Sequence, residues 1–229
     1  MIFAIGLVTL SGCLKDEDGV YHVSAVRALN AVPGSEHLDI GLNESWLNYD
    51  LQTREVEDFA YRDTLPYKQA WPGTREVRVF EGGNITSGGL LAKGNVPFTP
   101  GQFYSIYVVG LEDDIELMVT EDDLSEPAAG KAKIRFINLS PDAPALDFGV
   151  ESADTLIASD IAFKEVKDFS AVDAGQTYVF SVFEHSGGAR VHSFEFKPES
   201  GRIYTVWIRG MFDNEGNAEL DFGHDMIVH

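Results

Sequence analysis

An internal repeat constrains the fold of this chain more than any other feature of its sequence. Four blocks occur twice in the same order: residues 26–30 with 134–138, 37–41 with 145–149, 100–110 with 200–210, and Glu116, Leu117 and Asp122 with Glu219, Leu220 and Asp225. Blocks that keep their order at a nearly constant offset predict two copies of one domain. The chain then holds two similar folding units of about 100 residues, a normal domain size.

Alternating residues within each copy predict β-strands. Tyr178, Phe180 and Val182 alternate with less apolar neighbours, in a period-two pattern rich in aromatic and β-branched residues. Turn-forming clusters separate such runs at 140–144, 173–175, 185–188 and 213–217. The pattern predicts an all-β fold of two tandem antiparallel β-sandwiches, Ig-like or transthyretin-like, with about seven strands each. Strands with one apolar face argue against parallel pairing.

Residues 134–147 (IRFINLSPDAPALD) resemble the opening motif of a bacterial family, the domain of unknown function 4397. That motif is a strand, then Ser-Pro-Asp-Ala-Pro, a small or apolar pair, and Asp. Segments 161–163, 174–178 and 201–206 fit the later strands of the family, so the resemblance covers the second repeat. The first repeat departs from it at 32–37 and carries an insertion around 46–57. The resemblance implies a secreted or lipid-anchored β-sandwich and assigns no catalytic residue.

The lone cysteine, Cys13, follows an apolar run at residues 2–10 and the small pair Ser11 and Gly12. This arrangement resembles a bacterial lipobox, whose cysteine carries fatty acyl chains such as palmitate after the signal peptide is removed. The run is shorter than the roughly 20 residues that span a bilayer and fits a signal-peptide core, although no Lys or Arg precedes it. The alternative is a buried structural cysteine.

The lipobox predicts an address and a division of the chain. We expect a bacterial outer-membrane protein, lipid-anchored and either periplasmic or surface-exposed, since Leu14 is not the aspartate typical of inner-membrane retention. The predicted segments are 1–13, a signal peptide ending in the lipobox cysteine; 14–23, a tether; 24–124, the first sandwich; 125–131, a linker; and 132–229, the second sandwich.

The charge of the chain bears on its partners. The 37 acidic and 17 basic residues give a net charge of −20, which repels phosphate backbones and argues against nucleic acid as a partner. Acidic runs at 112–114, 121–123 and 213–217 supply the oxygen ligands that calcium prefers. Because none of them has the spacing of an EF-hand loop, we expect solvated loops and assign no metal site.

Few residues suggest a specific chemistry. Ser140 and Asp142 lie within the Ser-Pro-Asp-Ala-Pro turn, where their side chains are expected to satisfy backbone N–H groups. His185 and His192 come near each other across a predicted hairpin, without a metal or triad spacing. Strand parity places Tyr107 and Trp207 on the face opposite the core, where a ring can stack on a sugar or bind a peptide. The same rings can instead be covered by the neighbouring domain or by the insertion.

These observations favour a non-catalytic, lipid-anchored binding or structural module of the cell envelope. The alternative is a carbohydrate- or peptide-binding accessory lipoprotein of an uptake or adhesion system, and a hydrolase is a more distant one. The expected partners are the membrane, through Cys13, and a glycan or protein ligand at Tyr107 and Trp207. No cofactor is expected.

Overall fold

The fold is described from a computed structural model of the chain. It covers residues 22–111, 114–151, 156–214 and 216–229. Cys13, the predicted signal peptide, most of the tether and part of the acidic run 112–114 therefore lie outside the described residues. Within these ranges the chain forms 16 strands, one 3-10 turn (Ala218–Leu220) and no α-helix. None of this part of the chain forms a helix long and apolar enough to cross a membrane.

The first half of the chain forms two four-stranded sheets around one core. Its strands are β1 (Ser24–Asn30), β2 (Leu38–Leu42), β3 (Ser45–Trp46), β4 (Thr64–Ala70), β5 (Gly73–Glu81), β6 (Leu90–Phe98), β7 (Phe103–Leu111) and β8 (Asp114–Glu121). One sheet has the order β4-β1-β7-β8 and the other β3-β2-β5-β6. Alternate residues such as Val26, Ile106, Ile40 and Val79 point inward from both sheets and form the core of this first sandwich.

The second half repeats this arrangement. Its strands are β9 (Lys131–Asn138), β10 (Leu146–Val150), β11 (Leu156–Ile161), β12 (Ser170–Asp173), β13 (Tyr178–Glu184), β14 (Arg190–Phe196), β15 (Ile203–Arg209) and β16 (Gly223–Val228). The sheets have the orders β12-β9-β15-β16 and β11-β10-β13-β14. Phe136, Phe148 and Phe180 stack in the core of this second sandwich, with centroids 4.7 and 5.5 Å apart.

The all-β fold of two successive sandwiches is confirmed, with two differences in detail. Each sandwich has eight strands among the described residues, instead of about seven. In each, the first strand pairs in parallel with the seventh, β1 with β7 and β9 with β15, while the other ladder pairs are antiparallel. Alternation shows which face of a strand is buried, but it carries no information on the direction of the neighbouring strand.

The two sandwiches pack against each other through the outer faces of the β4-β1-β7-β8 and β12-β9-β15-β16 sheets. Leu29 and Tyr107 of one sandwich and Ile137, Leu139 and Trp207 of the other form this apolar interface. Tyr107 is 0% and Trp207 1% exposed. Strand parity correctly turned both rings away from their own cores, but each ring is covered by the neighbouring sandwich. Of the two alternatives for these rings, exposure to a ligand or cover by the neighbouring domain, the structure shows the second, so neither ring is an exposed binding residue.

A buried ion pair crosses the same interface. The carboxylate of Asp122 lies 2.6 Å from the Arg135 guanidinium, with the two side chains 0% and 3% exposed. Asp122 also accepts hydrogen bonds from the hydroxyls of Ser105 at 2.7 Å and Tyr67 at 2.6 Å, and Arg135 donates to the Tyr107 hydroxyl at 2.8 Å. Asp122 belongs to the acidic run 121–123, for which the sequence predicts a solvated loop, and this prediction is wrong for Asp122. Its charge is balanced by a cation of the other sandwich.

Candidate functional site

A cleft of about 330 Å³ lies on the first sandwich, between the β2–β3 turn and the corner that joins β4 to β5. Two of the three tryptophans of the chain, Trp46 and Trp71, line this cleft, and we call it the tryptophan cleft. Its polar lining consists of Asn43, Glu44, Ser45, Lys68, Gln69 and Arg75. The volume is at the lower end of the range of about 300–1,000 Å³ found for small-molecule sites, and the mixed lining is typical of them.

Trp71 owes its exposure to the corner on which it stands. A residue before proline is restricted to extended backbone, so Trp71 continues the direction of β4 while Pro72, which is buried, begins the turn. Gly73 then adopts a φ of 95°, which favours glycine. The Arg75 side chain returns to the corner and donates to the carbonyls of Trp71 at 2.9 Å and Pro72 at 2.8 Å. The indole is thus held on a braced backbone, 54% exposed.

Trp46 forms the opposite side of the cleft. Its ring lies over Gly41, where an added Cβ would stand 3.5 Å from the indole Cζ3, and it meets the Phe80 ring edge-on with centroids 5.8 Å apart. Arg78 also lies over the Phe80 ring, with its guanidinium carbon 5.8 Å from the ring centroid. These contacts fix Trp46 as a wall. A second cavity of about 250 Å³ shares Trp46 with the tryptophan cleft and is lined as well by Arg78, Phe80 and Ile85.

The insertion of the first repeat extends the cleft along β4. Leu47 and Phe59 anchor it in the core of the first sandwich, 5% and 0% exposed. Lys68 ties it to β4 by donating to the carbonyl of Tyr49 at 2.7 Å. A cavity of about 570 Å³ lies between the insertion and β4, and it shares Lys68 and Gln69 with the tryptophan cleft. The insertion therefore lines a concave surface that adjoins the tryptophan cleft, and it does not cover the rings of Tyr107 and Trp207.

The second sandwich has no equivalent of Trp71. Strand pairing places Asp173 at the corresponding position. Ala70 pairs with Ser24, Val172 pairs with the equivalent residue Ala132, and Trp71 and Asp173 are the residues that come next. The turn itself is alike, since Gly175 adopts a φ of 85° where Gly73 has 95°. Asp173, however, forms an ion pair with Lys131 at 2.7 Å. The aromatic corner is thus specific to the first sandwich. Because it lies outside the shared core, an aromatic residue at this position does not disturb the fold that the two sandwiches have in common.

The Ser-Pro-Asp-Ala-Pro turn has a structural role. The two carboxylate oxygens of Asp142 accept hydrogen bonds from the backbone N–H groups of Phe212 at 2.7 Å and Asp213 at 2.9 Å. The Ser140 hydroxyl donates to the carbonyl of Gly210 at 2.7 Å. Both side chains therefore hold the loop after β15. Asp142 accepts from backbone N–H groups as expected, but these belong to that distant loop instead of to its own turn, and Ser140 satisfies a carbonyl instead of an N–H group.

The histidines of the second sandwich have separate partners. His185 Nδ1 lies 2.9 Å from Asp147, and this hydrogen bond raises the pKa of His185. His192 Nε2 lies 2.8 Å from Nδ1 of His224, and burial lowers the pKa of His224 to about 4. The structure thus does not bring His185 and His192 together. In the part of the chain that it describes, no group of three or more His, Cys, Asp or Glu side chains is placed to hold a metal ion.

Sequence reasoning missed both aromatic walls of the cleft. The sequence predicts an insertion that begins at Trp46 but indicates no binding role for Trp46 or Trp71. A signal for Trp71 was present, because an aromatic residue before Pro-Gly at the end of a strand is held extended at a turn. For Trp46 there was none, since its role depends on Phe80, which lies 34 residues later in the chain.

Comparison with protein families gives one match. The sequence model of a family described as "Domain of unknown function (DUF4397)" matches residues 24–149. The matched range spans the whole first sandwich and reaches β10 of the second, and it includes the Ser-Pro-Asp-Ala-Pro motif. No curated protein matches the chain in sequence.

Solved structures with some likeness include two kinds of carbohydrate-binding module. One is a family 26 module from Eubacterium rectale Amy13K in complex with maltoheptaose, with 9% identity, coverage of 90% of this chain and 96% of that chain, and a TM-score of 0.25. Another comes from work on α-glucan recognition by family 41 modules of streptococcal virulence factors, with 13% identity, coverage of 80% and 92%, and a TM-score of 0.24. These TM-scores are too low for the likeness to indicate a shared ligand.

Proposed function

The chain belongs to the family of the domain of unknown function 4397, and we propose that it is a non-catalytic, lipid-anchored protein of the cell envelope. Its ligand is a saccharide, which binds in the tryptophan cleft. The observation that carries this proposal is the indole of Trp71, which is 54% exposed on a braced corner and faces a cleft that Trp46 closes on the other side. An exposed aromatic ring on a rigid backbone costs little ordering entropy when a ligand covers it.

The chemistry of the cleft suits a saccharide. The C–H faces of a sugar ring are apolar and pack on an aromatic ring, while its hydroxyls need donors and acceptors at the rim. Here Trp46 and Trp71 supply the aromatic faces, and Asn43, Glu44 and Gln69 supply amide and carboxylate groups. The adjoining cavity between the insertion and β4 gives room for further sugar residues of the same chain.

A peptide is the second candidate, because β4 is an edge strand beside this cavity. Exposed edge strands bind peptides by adding a strand through backbone hydrogen bonds. Pro66 stands in the middle of β4 and has no backbone N–H to donate, a feature that blocks such addition at sheet edges. This residue favours the saccharide over the peptide.

Replacement of Trp71 by alanine is the test of the site. We expect the intact chain, purified in mild detergent, to bind a subset of saccharides on a glycan array, and Trp71→Ala to weaken that binding at least about 30-fold. Such a loss corresponds to about 2 kcal/mol, as for a central aromatic residue of an interface. Because the side chain is exposed, the free energy of unfolding should change by no more than about 0.5 kcal/mol.

Leu156 provides the matched control. It is 43% exposed on β11 of the second sandwich, so Leu156→Ala removes a similarly exposed apolar group far from the cleft and should leave binding unchanged. Equal binding by Trp71→Ala and the unmodified chain would refute the assignment of the site. Absence of any saccharide ligand on the array, together with selection of a peptide, would favour the second candidate.

The lipid anchor is supported by the lipobox-like residues around Cys13. Each methylene group of an acyl chain buried in lipid contributes about 0.8 kcal/mol, and one chain alone anchors only marginally. The two or three chains expected of a bacterial lipoprotein make attachment stable. A binding module tethered in this way would hold its ligand at the bacterial outer membrane, on the periplasmic or the outer side.

Cys13→Ala should abolish metabolic labelling with an alkyne fatty acid and move the protein out of the membrane fraction. The reason is that Cys13 is the only cysteine in the chain and thus the only thiol that can be acylated. Labelling and membrane association that persist in this variant would contradict the lipid anchor and the envelope address together.

A further inference from the structure

Two cations of the tryptophan cleft are held by neutral groups. Arg75 donates from Nε and one terminal nitrogen to backbone carbonyls, at 2.9 and 2.8 Å, and Lys68 donates to the carbonyl of Tyr49 at 2.7 Å. Among the described residues neither side chain has a carboxylate oxygen within 4.0 Å, and Nη1 of Arg75 has no acceptor. Both groups line the cleft and are partly buried there. Each retains N–H donors that a ligand can use.

This arrangement differs from that of most other cations of the molecule. In the part of the chain that the structure describes, nine Lys and Arg side chains pair with carboxylates: Arg62, Arg78, Lys131, Lys133, Arg135, Lys164, Arg190, Arg202 and Arg209. Acidic residues outnumber basic ones by 37 to 17, so a partner is easily found. Lys68 and Arg75 lie on the walls of one cleft and form no such ion pair, although a longer-range Coulombic attraction links Lys68 to Asp50 of the adjoining cavity.

Deepening the proposed function, on which this inference rests, we propose that the ligand is a saccharide with a carboxylate, and that Arg75 and Lys68 bind this group while Trp71 packs on a sugar ring. A carboxylate accepts charge-assisted hydrogen bonds that are shorter and stronger than those of a hydroxyl. The backbone carbonyls hold Arg75 and Lys68 in place without neutralising them, so their charge is oriented before the ligand arrives.

The ligand carries an isolated carboxylate instead of a row of them. Glu44 lines the same cleft, Asp50 lies in the adjoining cavity, and the chain as a whole has a charge of −20. Repulsion between exposed charges acts over about 8 Å at physiological ionic strength, so a polyanion that extends beyond the two cations would meet acidic groups. A single uronic or sialic acid residue within an otherwise neutral oligosaccharide avoids this repulsion.

The test compares oligosaccharides that carry one uronic or sialic acid with the same compounds after reduction of the carboxyl group to an alcohol. We expect the intact chain to bind the acidic member of at least one pair about tenfold more tightly. Arg75→Gln and Lys68→Gln should each remove most of this difference, because each loses a charge-assisted hydrogen bond. Arg75→Lys should retain part of it, since it keeps the charge.

Lys93 supplies the control, as an exposed lysine of β6 on the first sandwich that does not line the cleft. Lys93→Gln should leave the preference unchanged; loss of the preference in this variant would assign it to net charge and overturn the inference. Equal binding of both members of each pair, with loss of both in Trp71→Ala, would overturn the inference and leave the proposed function intact. No binding of either member would count against both.

Discussion

Replacing Arg135 with alanine is expected to lower the free energy of unfolding by about 3–5 kcal/mol. The guanidinium lies 2.6 Å from the carboxylate of Asp122, and both side chains are almost completely removed from solvent. The variant leaves Asp122 buried without a cation, although Ser105 and Tyr67 still donate hydrogen bonds to it. A buried charge that loses its partner costs far more than the net contribution of the pair, because the desolvation of the remaining ion is no longer offset.

Urea denaturation followed by tryptophan fluorescence measures this effect, and Lys164→Ala provides the comparison. Lys164 pairs with Glu116 across the same interface at 2.7 Å, but both side chains are well exposed, so its loss should cost less than about 1 kcal/mol. The double variant Asp122→Asn/Arg135→Met should recover part of the stability because it removes both charges. A loss below about 1 kcal/mol for Arg135→Ala would show that the pair does not join the sandwiches.

Trp207→Ala is expected to cost about 3–5 kcal/mol as well, for a different reason. The indole is 1% exposed and fills the centre of the apolar interface between the sandwiches, beside Tyr107. Its removal leaves a cavity at the interface that the surrounding side chains fill only in part. Because the contact between the sandwiches is weakened while each core remains intact, unfolding should also become less cooperative, with two transitions instead of one.

Trp71→Ala is the matched control for this variant, since it makes the same substitution at a side chain that is 54% exposed. Its effect on the free energy of unfolding should stay within about 0.5 kcal/mol. Calorimetry measures the melting temperature and the number of unfolding transitions of both variants. Only Trp207→Ala should change them. A Trp207→Ala protein that melts as one transition at an unchanged temperature would mean that the interface contributes little to stability.

The sequence predicted the two sandwiches well because their signals are local. Period-two alternation identifies strands, and the repeated blocks identify the second copy without reference to contacts. The parallel pairing of β1 with β7 was not predicted, since β1 (Ser24–Asn30) has the same alternation whichever way its neighbour runs. Register and direction depend on residues about 80 positions away along the chain.

The functional residues were harder to predict, since exposure is a property of the whole molecule. The alternation around Tyr107 and Trp207 gave the correct face of each strand, but nothing in the local pattern showed that the two faces cover each other. Trp71 is exposed because it continues the direction of β4 beyond the last ladder pair, just before the proline-glycine corner. The burial of Asp122 could not be predicted from its acidic run, because its partner Arg135 belongs to the other sandwich.

Hydrogen–deuterium exchange on the intact chain shows whether the tryptophan cleft binds a saccharide. Exchange is measured with and without a saturating amount of the strongest-binding oligosaccharide from the array. If the cleft binds a saccharide, we expect slower exchange at residues 41–47 and 68–78, which carry the β2–β3 turn and the braced corner of Trp71, and no change in the second sandwich. Protection confined to the second sandwich, or no protection anywhere, would contradict binding in the cleft.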